Sequence, residues 1–305
     1  MSFADKSAHQ WQNWMQLDYQ LEKFYDFNNR PVCVGIDEAG RGPVLGPMVY
    51  AATFCAVEDK NLVSQYGYQD SKQLTPSKRE SLFKTLESGI VRIGYIISVI
   101  TAEEICGLMT NKVPTNLNEI SHQAAMNLLN KIVENGSNVQ EVYVDTVGNP
   151  EKYASKIRQS FPTISNVVVS KRADALYSIV SSASVCAKVV RDQVLDRWTF
   201  SGSEALNKDR DWGSGYPSDP KTKLWMKRNF NPIFGFPNVV RFSWKPCMDM
   251  IDQLAVPVKW RDEIESDCTE ATSSKCFDRN TVNRNGLGSR FCFFARNDME
   301  LACDF

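Results

Sequence analysis

The feature that most constrains this chain is a short apolar run that ends in two acids. Val32-Cys33-Val34-Gly35-Ile36 shows no polar alternation, so it reads as a strand buried on both faces, and it runs directly into Asp37-Glu38. A second run of the same kind, Val142-Tyr143-Val144, runs into Asp145. Strands covered on both faces belong to sheets sandwiched by helices, and in such sheets ligands bind at the carboxyl ends of the strands. If the two strands are neighbours, Asp37 and Asp145 stand side by side.

The intervening sequence supplies further strands and the helices. Residues 49–56, 90–100 and 164–169 read as strands. Thr75-Pro76-Ser77 opens a helix with Thr as cap and Pro in its first turn. Residues 119–134 carry apolar side chains at Ile120, Ala124, Leu128 and Ile132 and stop at Asn135-Gly136, an amphipathic helix with its end signal. Residues 152–160, 172–199 and 248–256 read as helices, and another starts near Pro220 with Ser218 or Asp219 as its cap. Strands alternating with helices predict an α/β layered fold with a parallel or mixed sheet. The expected organisation is an N-terminal segment (1–30), one α/β domain (31–245) and a helical C-terminal extension (246–305). That extension holds a polar linker over 266–285 and the apolar cluster Phe291-Cys292-Phe293-Phe294, either a docking element or a tail packed on its own domain.

Several chemistries lack material. The 9 cysteines form no C-x-x-C pair and are odd in number, which favours reduced buried thiols over zinc or disulfides. The 2 histidines, His9 and His122, leave little for a histidine pair or a Ser-His-Asp triad. No apolar run approaches the roughly 18 residues of a membrane span, and the start of the chain lacks a signal pattern, so the expectation is a soluble intracellular protein.

Acids are what remain. Asp37, Glu38, Asp145 and Asp174, the last inside Arg172-Ala173-Asp174-Ala175, form a hard-oxygen set that suits Mg²⁺ or Mn²⁺ rather than zinc. Any one of them alone could merely cap the next turn. Residues 39–47, Ala-Gly-Arg-Gly-Pro-Val-Leu-Gly-Pro, form a rigid close-approach loop able to meet a sugar hydroxyl or phosphate, with Arg41 at hand for charge. Its G-x-G-x-x-x-G spacing misses the dinucleotide fingerprint, which disfavours a dehydrogenase. Gly213-Ser214-Gly215-Tyr216-Pro217 puts an aromatic on a loop before a helix with Lys221, Lys223, Lys227 and Arg228. That is either a nucleic-acid grip or a solvated turn.

Five blocks, Gly35 to Pro43, Asp70-Ser71-Lys72-Gln73-Leu74, Val144-Asp145, Ala173-Asp174-Ala175 with Ser182-Ala183-Ser184 and Ala187-Lys188, and Gly213 to Pro220, resemble the ribonuclease HII (type 2 ribonuclease H) family in content and order. The length, Phe234-Gly235-Phe236-Pro237 and Arg241-Phe242-Ser243-Trp244 are similar to the eukaryotic catalytic subunits of that family. The resemblance implies a ribonuclease H-like fold and cleavage of RNA–DNA hybrids, including 5′ to single ribonucleotides in duplex DNA, in replication and repair. It implies two divalent ions on Asp37, Glu38, Asp145 and Asp174, and a ribose-reading loop at Gly40, Arg41 and Gly42. Tyr216 would sense the junction with deoxyribose, and Lys72 and Lys188 would meet phosphates. Assembly with two non-catalytic subunits and a nuclear location follow from the resemblance alone. A scaffolding protein of the same fold would have replaced the acids, and here all four stand.

The formal net charge of −1 over 305 residues does not oppose a polyanionic partner. Residues 151–245 hold 16 Lys and Arg against 8 Asp and Glu, so a basic region is averaged against acidic surface elsewhere.

Overall fold

A computed structural model describes residues 20–68, 74–200 and 204–257. Lys72, the 266–285 linker and the Phe291 cluster lie outside the described residues. The strands are β1 (Gln20–Lys23), β2 (Val32–Ala39), β3 (Met48–Ala56), β4 (Gly94–Ile100), β5 (Val139–Asp145) and β6 (Asn166–Ser170). The helices are α1 (Lys60–Gln65), α2 (Pro76–Ser88), α3 (Ala102–Thr110), α4 (Leu117–Glu134), α5 (Pro150–Ser160), α6 (Ala173–Leu176), α7 (Ser178–Asp196), α8 (Glu204–Lys208), α9 (Pro220–Arg228) and α10 (Lys245–Leu254). No described helix is long and apolar enough to cross a membrane.

The chain divides into two compact units. Among the described residues the first comprises those within 20–42, 46–101 and 116–199, the second those within 43–45, 102–115 and 200–257. The first unit holds one six-stranded mixed sheet in the order β1-β4-β3-β2-β5-β6. β2, β3 and β4 run antiparallel as a meander, while β5 and β6 add in parallel on the other side of β2. The two acid-tipped runs are neighbours: Ile36 pairs with Val144, so Asp37 and Asp145 follow one register step later.

Side chains alternate between the faces of a strand. Gly35 and Asp37 of β2 therefore face the same way, towards α7, which packs across β2 and β3. Ser181, Ser182 and Ala183 explain how the helix comes so close: their small side chains leave its backbone almost on the sheet. Thr53 Oγ1 donates to Ile179 O at 2.7 Å and lies 2.7 Å from Ser182 Oγ. Glu38 turns to the opposite face, where α4 packs on β3 and β4. Thr75 caps its helix as expected, accepting from Lys78 N, and two caps that the sequence analysis did not name, Asn116 and Asn149, accept from Glu119 N and Lys152 N.

Two expectations are corrected. The helix predicted over 172–199 is two, α6 and α7, broken at Tyr177 (φ −127°, ψ 115°). The helical period runs through the break, but Ser181 Oγ donates to Asp174 O at 2.6 Å and the Tyr177 ring lies 4.5 Å from Tyr143, so the turn carrying Asp174 is held apart. The strand predicted over 90–100 begins only at Gly94. Cys33, Cys55, Cys106, Cys186 and Cys247 are free and buried.

In the second unit, Leu45 bridges Val240, and Val44 N donates to Gly215 O at 2.8 Å. Trp225 is fully buried beside Trp212 and donates through Nε1 to Asp209 O.

Candidate active site

Asp37 ends β2 almost fully buried (4% exposed). Its Oδ1 accepts from Glu38 N at 2.7 Å, and the Ser184 hydroxyl of α7 hydrogen-bonds to the same carboxyl. Burial first, then the charges of Glu38 and Asp145, hold this carboxyl well above the usual carboxylate range, although Ser184 and the Glu38 N–H favour the ionised form. Ser184 was legible only as part of a small-residue block, so its contact with Asp37 is a finding of the structure.

Asp145 ends β5 and ties two elements together. Its Oδ1 accepts from Thr146 N at 3.0 Å and from Ala173 N at 3.1 Å. The second bond fixes the start of α6 to the tip of β5, and α6 places Asp174 one residue further on, 1% exposed. Three of the four acids thus come from β2, β5 and α6 on the α7 side of the sheet, while Glu38 follows Asp37 on the other face of β2, its charge still felt by Asp37. Among the described residues no three of these side chains close on a single ion-sized point. The donors nevertheless fit a hard divalent cation. They are carboxylate oxygens in a buried place, and the opposition of Glu38 and Asp145 to the ionisation of Asp37 is what such a cation relieves.

The loop after β2 turns on Gly40, with φ +78°. A Cβ at Gly40 would fall 2.5 Å from Pro47 O and 3.2 Å from Arg191 Cγ, so only glycine fits against the backbone there. Arg41 points its guanidinium at α4, where Nη2 donates to Asn118 Oδ1 and Nε to Ser121 Oγ at 3.4 Å. Lys188 of α7 pairs with Asp192 at 2.8 Å. Arg191, at 3.3 Å, and Arg79 of α2, at 4.0 Å, converge on the same carboxylate and leave a local surplus of positive charge. Neither arginine was singled out by sequence, because only the packing of α2 on α7 brings them together.

Tyr216 belongs to the second unit and is 48% exposed. Its loop is held by Asp219, whose carboxylate accepts from Ser214 N at 2.7 Å and Lys221 N at 2.9 Å. These backbone N–H bonds lower its carboxyl to about 2, so they persist through the physiological range and weaken only as pH falls towards that value. Asp219→Ala should loosen the loop, with little effect on the first unit. Limited proteolysis at residues 213–217 and thermal melting check both parts.

Known proteins resemble this chain in sequence and fold. The family profile described as Ribonuclease HII matches residues 34–247. The A subunit of ribonuclease H2 from Homo sapiens is 45% identical over 76% of this chain and 77% of its own length. The Dictyostelium discoideum protein of the same name is 38% identical over 93% of this chain and 95% of its own. Among solved structures, ribonuclease H2 from Pyrococcus horikoshii superposes with a TM-score of 0.61 at 33% identity, covering 73% of this chain and 98% of that one. The RNase HII chain of the Archaeoglobus fulgidus PCNA complex gives 0.57 at 28% identity, covering 76% and 99%. The sheet and its helices are therefore a ribonuclease H-like fold, and the chain belongs to the ribonuclease HII family, alongside the A subunits of eukaryotic ribonuclease H2.

Proposed function

We propose that this chain cuts the RNA strand of RNA–DNA hybrids and also cleaves duplex DNA on the 5′ side of a single embedded ribonucleotide, leaving 3′-hydroxyl and 5′-phosphate ends. The observation that carries the reading is the buried Asp37 carboxyl, opposed by Glu38 and Asp145, one short loop away from Gly40. Two divalent ions, Mg²⁺ or Mn²⁺, held by Asp37, Glu38, Asp145 and Asp174, would supply an activated water and neutralise the leaving 3′ oxygen.

The chain's own residues do the rest. Ser184 and the Glu38 N–H orient Asp37, and Thr146 and Ala173 N–H groups orient Asp145, so the carboxylates are aimed before substrate arrives. The tightly folded Gly40-Arg41-Gly42 backbone meets the ribose 2′-hydroxyl, the one sugar atom that deoxyribose lacks. Tyr216 stacks at the junction with deoxyribose, and the cations around Asp192, Lys188 among them, meet phosphate. Lys72 is assigned a phosphate contact from the family motif. The relatives are named as one lettered subunit of ribonuclease H2, which supports an assembly with two non-catalytic subunits. Ribonucleotide removal during replication and repair would be work for the nucleus.

The deciding assay uses a duplex with one ribonucleotide, with Mg²⁺ and then with chelator, and analyses the product ends. Cleavage only with metal, giving 5′-phosphate ends, is expected. A 2′,3′-cyclic phosphate would sink the reading, since it requires the 2′-hydroxyl as nucleophile.

A further inference from the structure

Arg41 sits between two glycines in the loop assigned to ribose, yet its side chain is engaged by the protein. Its guanidinium donates to Asn118 Oδ1 and, at 3.4 Å, to Ser121 Oγ. Asn118 and Ser121 lie three residues apart in α4, so they share one face of the helix and present two acceptors to one planar fork. Ser121 is fully buried and is a junction as well as an acceptor: its hydroxyl donates to Met48 Sδ at 3.8 Å and faces the buried Tyr50 hydroxyl. Tyr50 is the cross-strand partner of Glu38. One helix face thus touches both the loop and the strand pair that carries a catalytic acid. Backbone restraints act on the same loop, the left-handed Gly40 and its close approach to Pro47 O.

We propose that Asn118 and Ser121 are positioning residues that hold the Gly40-Arg41-Gly42 backbone, through the Arg41 guanidinium, in the shape that distinguishes ribose from deoxyribose. This rests on the reading of the loop given above. Arg41 then acts as an internal tether rather than as a phosphate contact, and arginine is required because a lysine ammonium cannot span two fixed acceptors.

The test is a binding cycle in chelator, with no cleavage, on the full chain purified with the subunits it retains. Dissociation constants are measured for a duplex with one ribonucleotide and for the same duplex in DNA alone, using wild type, Asn118→Ala, Ser121→Ala and Arg41→Lys. The wild-type ratio should fall by about threefold to tenfold in each variant, the loss of one or two charge-assisted hydrogen bonds, while affinity for the all-DNA duplex and its salt dependence stay unchanged. Asn118 is exposed, so that variant reports on the loop without a folding defect. Variants that keep the wild-type ratio, or an Arg41→Lys that keeps both ratio and affinity, would overturn the tether. A wild-type chain that binds both duplexes alike would overturn the ribose reading itself, and the tether with it.

Discussion

Asp37→Asn should abolish cleavage and, in the same protein without metal, raise the melting temperature at pH 7. The first effect follows from the proposed role: one carboxylate of a hard-cation set contributes several kcal/mol to barrier lowering, which at 1.36 kcal/mol per tenfold is at least about 10³-fold in rate. The second follows from the cost of the charge. Burial, then Glu38 and Asp145, hold the Asp37 carboxyl well above its ordinary value. A carboxyl raised in the folded state contributes stability that is fully present below its unfolded value, about 3.9, and is lost as pH rises through the folded value. As pH climbs above the unfolded value that contribution is lost, so keeping this carboxyl in the metal-free fold costs more at pH 7 than near pH 4. Asparagine keeps the shape, still accepts from Ser184 and the Glu38 N–H, and carries no charge. Each kcal/mol relieved is worth about 2–4 °C for a domain of this size. Melting in chelator at pH 7 and again near pH 4 is the measurement. The gap between wild type and variant should be wide at pH 7 and close at the lower pH. A variant that melts below wild type at pH 7 would remove the case that these carboxylates oppose one another. With metal present the order should reverse, because cation and proton compete for Asp37, and apparent metal affinity should fall as pH falls.

How far the sequence carried depends on which contacts were local. The two acid-tipped strands were legible because an uninterrupted apolar run ending in Asp is a local pattern, and β2 and β5 do pair in register. Their caps were legible for the same reason, Thr75 and Asp219 both accepting the predicted backbone bonds. The break at Tyr177 was not, since periodicity and small residues continue through it. The turn before it is held by a bond from Ala173 N to Asp145, which is distant in the chain. Arg41 was expected to meet external charge and instead meets α4, whose approach no local pattern announces. Arg79 joins Arg191 on Asp192 only through helix packing, and β1 is a four-residue edge strand holding Glu22 and Lys23, too short and too polar to stand out.

Gly35→Ala should be the most damaging single methyl in the first unit. A Cβ at Gly35 would lie 2.4 Å from Ile179 C, 2.5 Å from Ile179 O and 2.6 Å from Val180 N. All three are backbone atoms of α7, so no rotamer change can make room. Gly35 does not have positive φ, so the cost is packing rather than conformational strain. The helix must lift from β2, and with it go the Thr53 to Ile179 bond, Ser184 beside Asp37 and the turn that carries Asp174. Overpacking a well-filled core costs about 1–3 kcal/mol and occasionally more. With a rigid helix backbone as the obstacle, about 3 kcal/mol or more is expected, a fall in melting temperature of about 6–12 °C. Gly136→Ala is the control: its φ of +85° carries the left-handed penalty of about 1–2 kcal/mol, but a Cβ there meets nothing within 4 Å. Cleavage measured well below both melting temperatures separates stability from geometry. Gly136→Ala should keep near wild-type turnover, while folded Gly35→Ala should lose it, because the acids and their hydrogen-bond donors no longer share one register. A Gly35→Ala protein with wild-type melting and turnover would mean that α7 does not position the site.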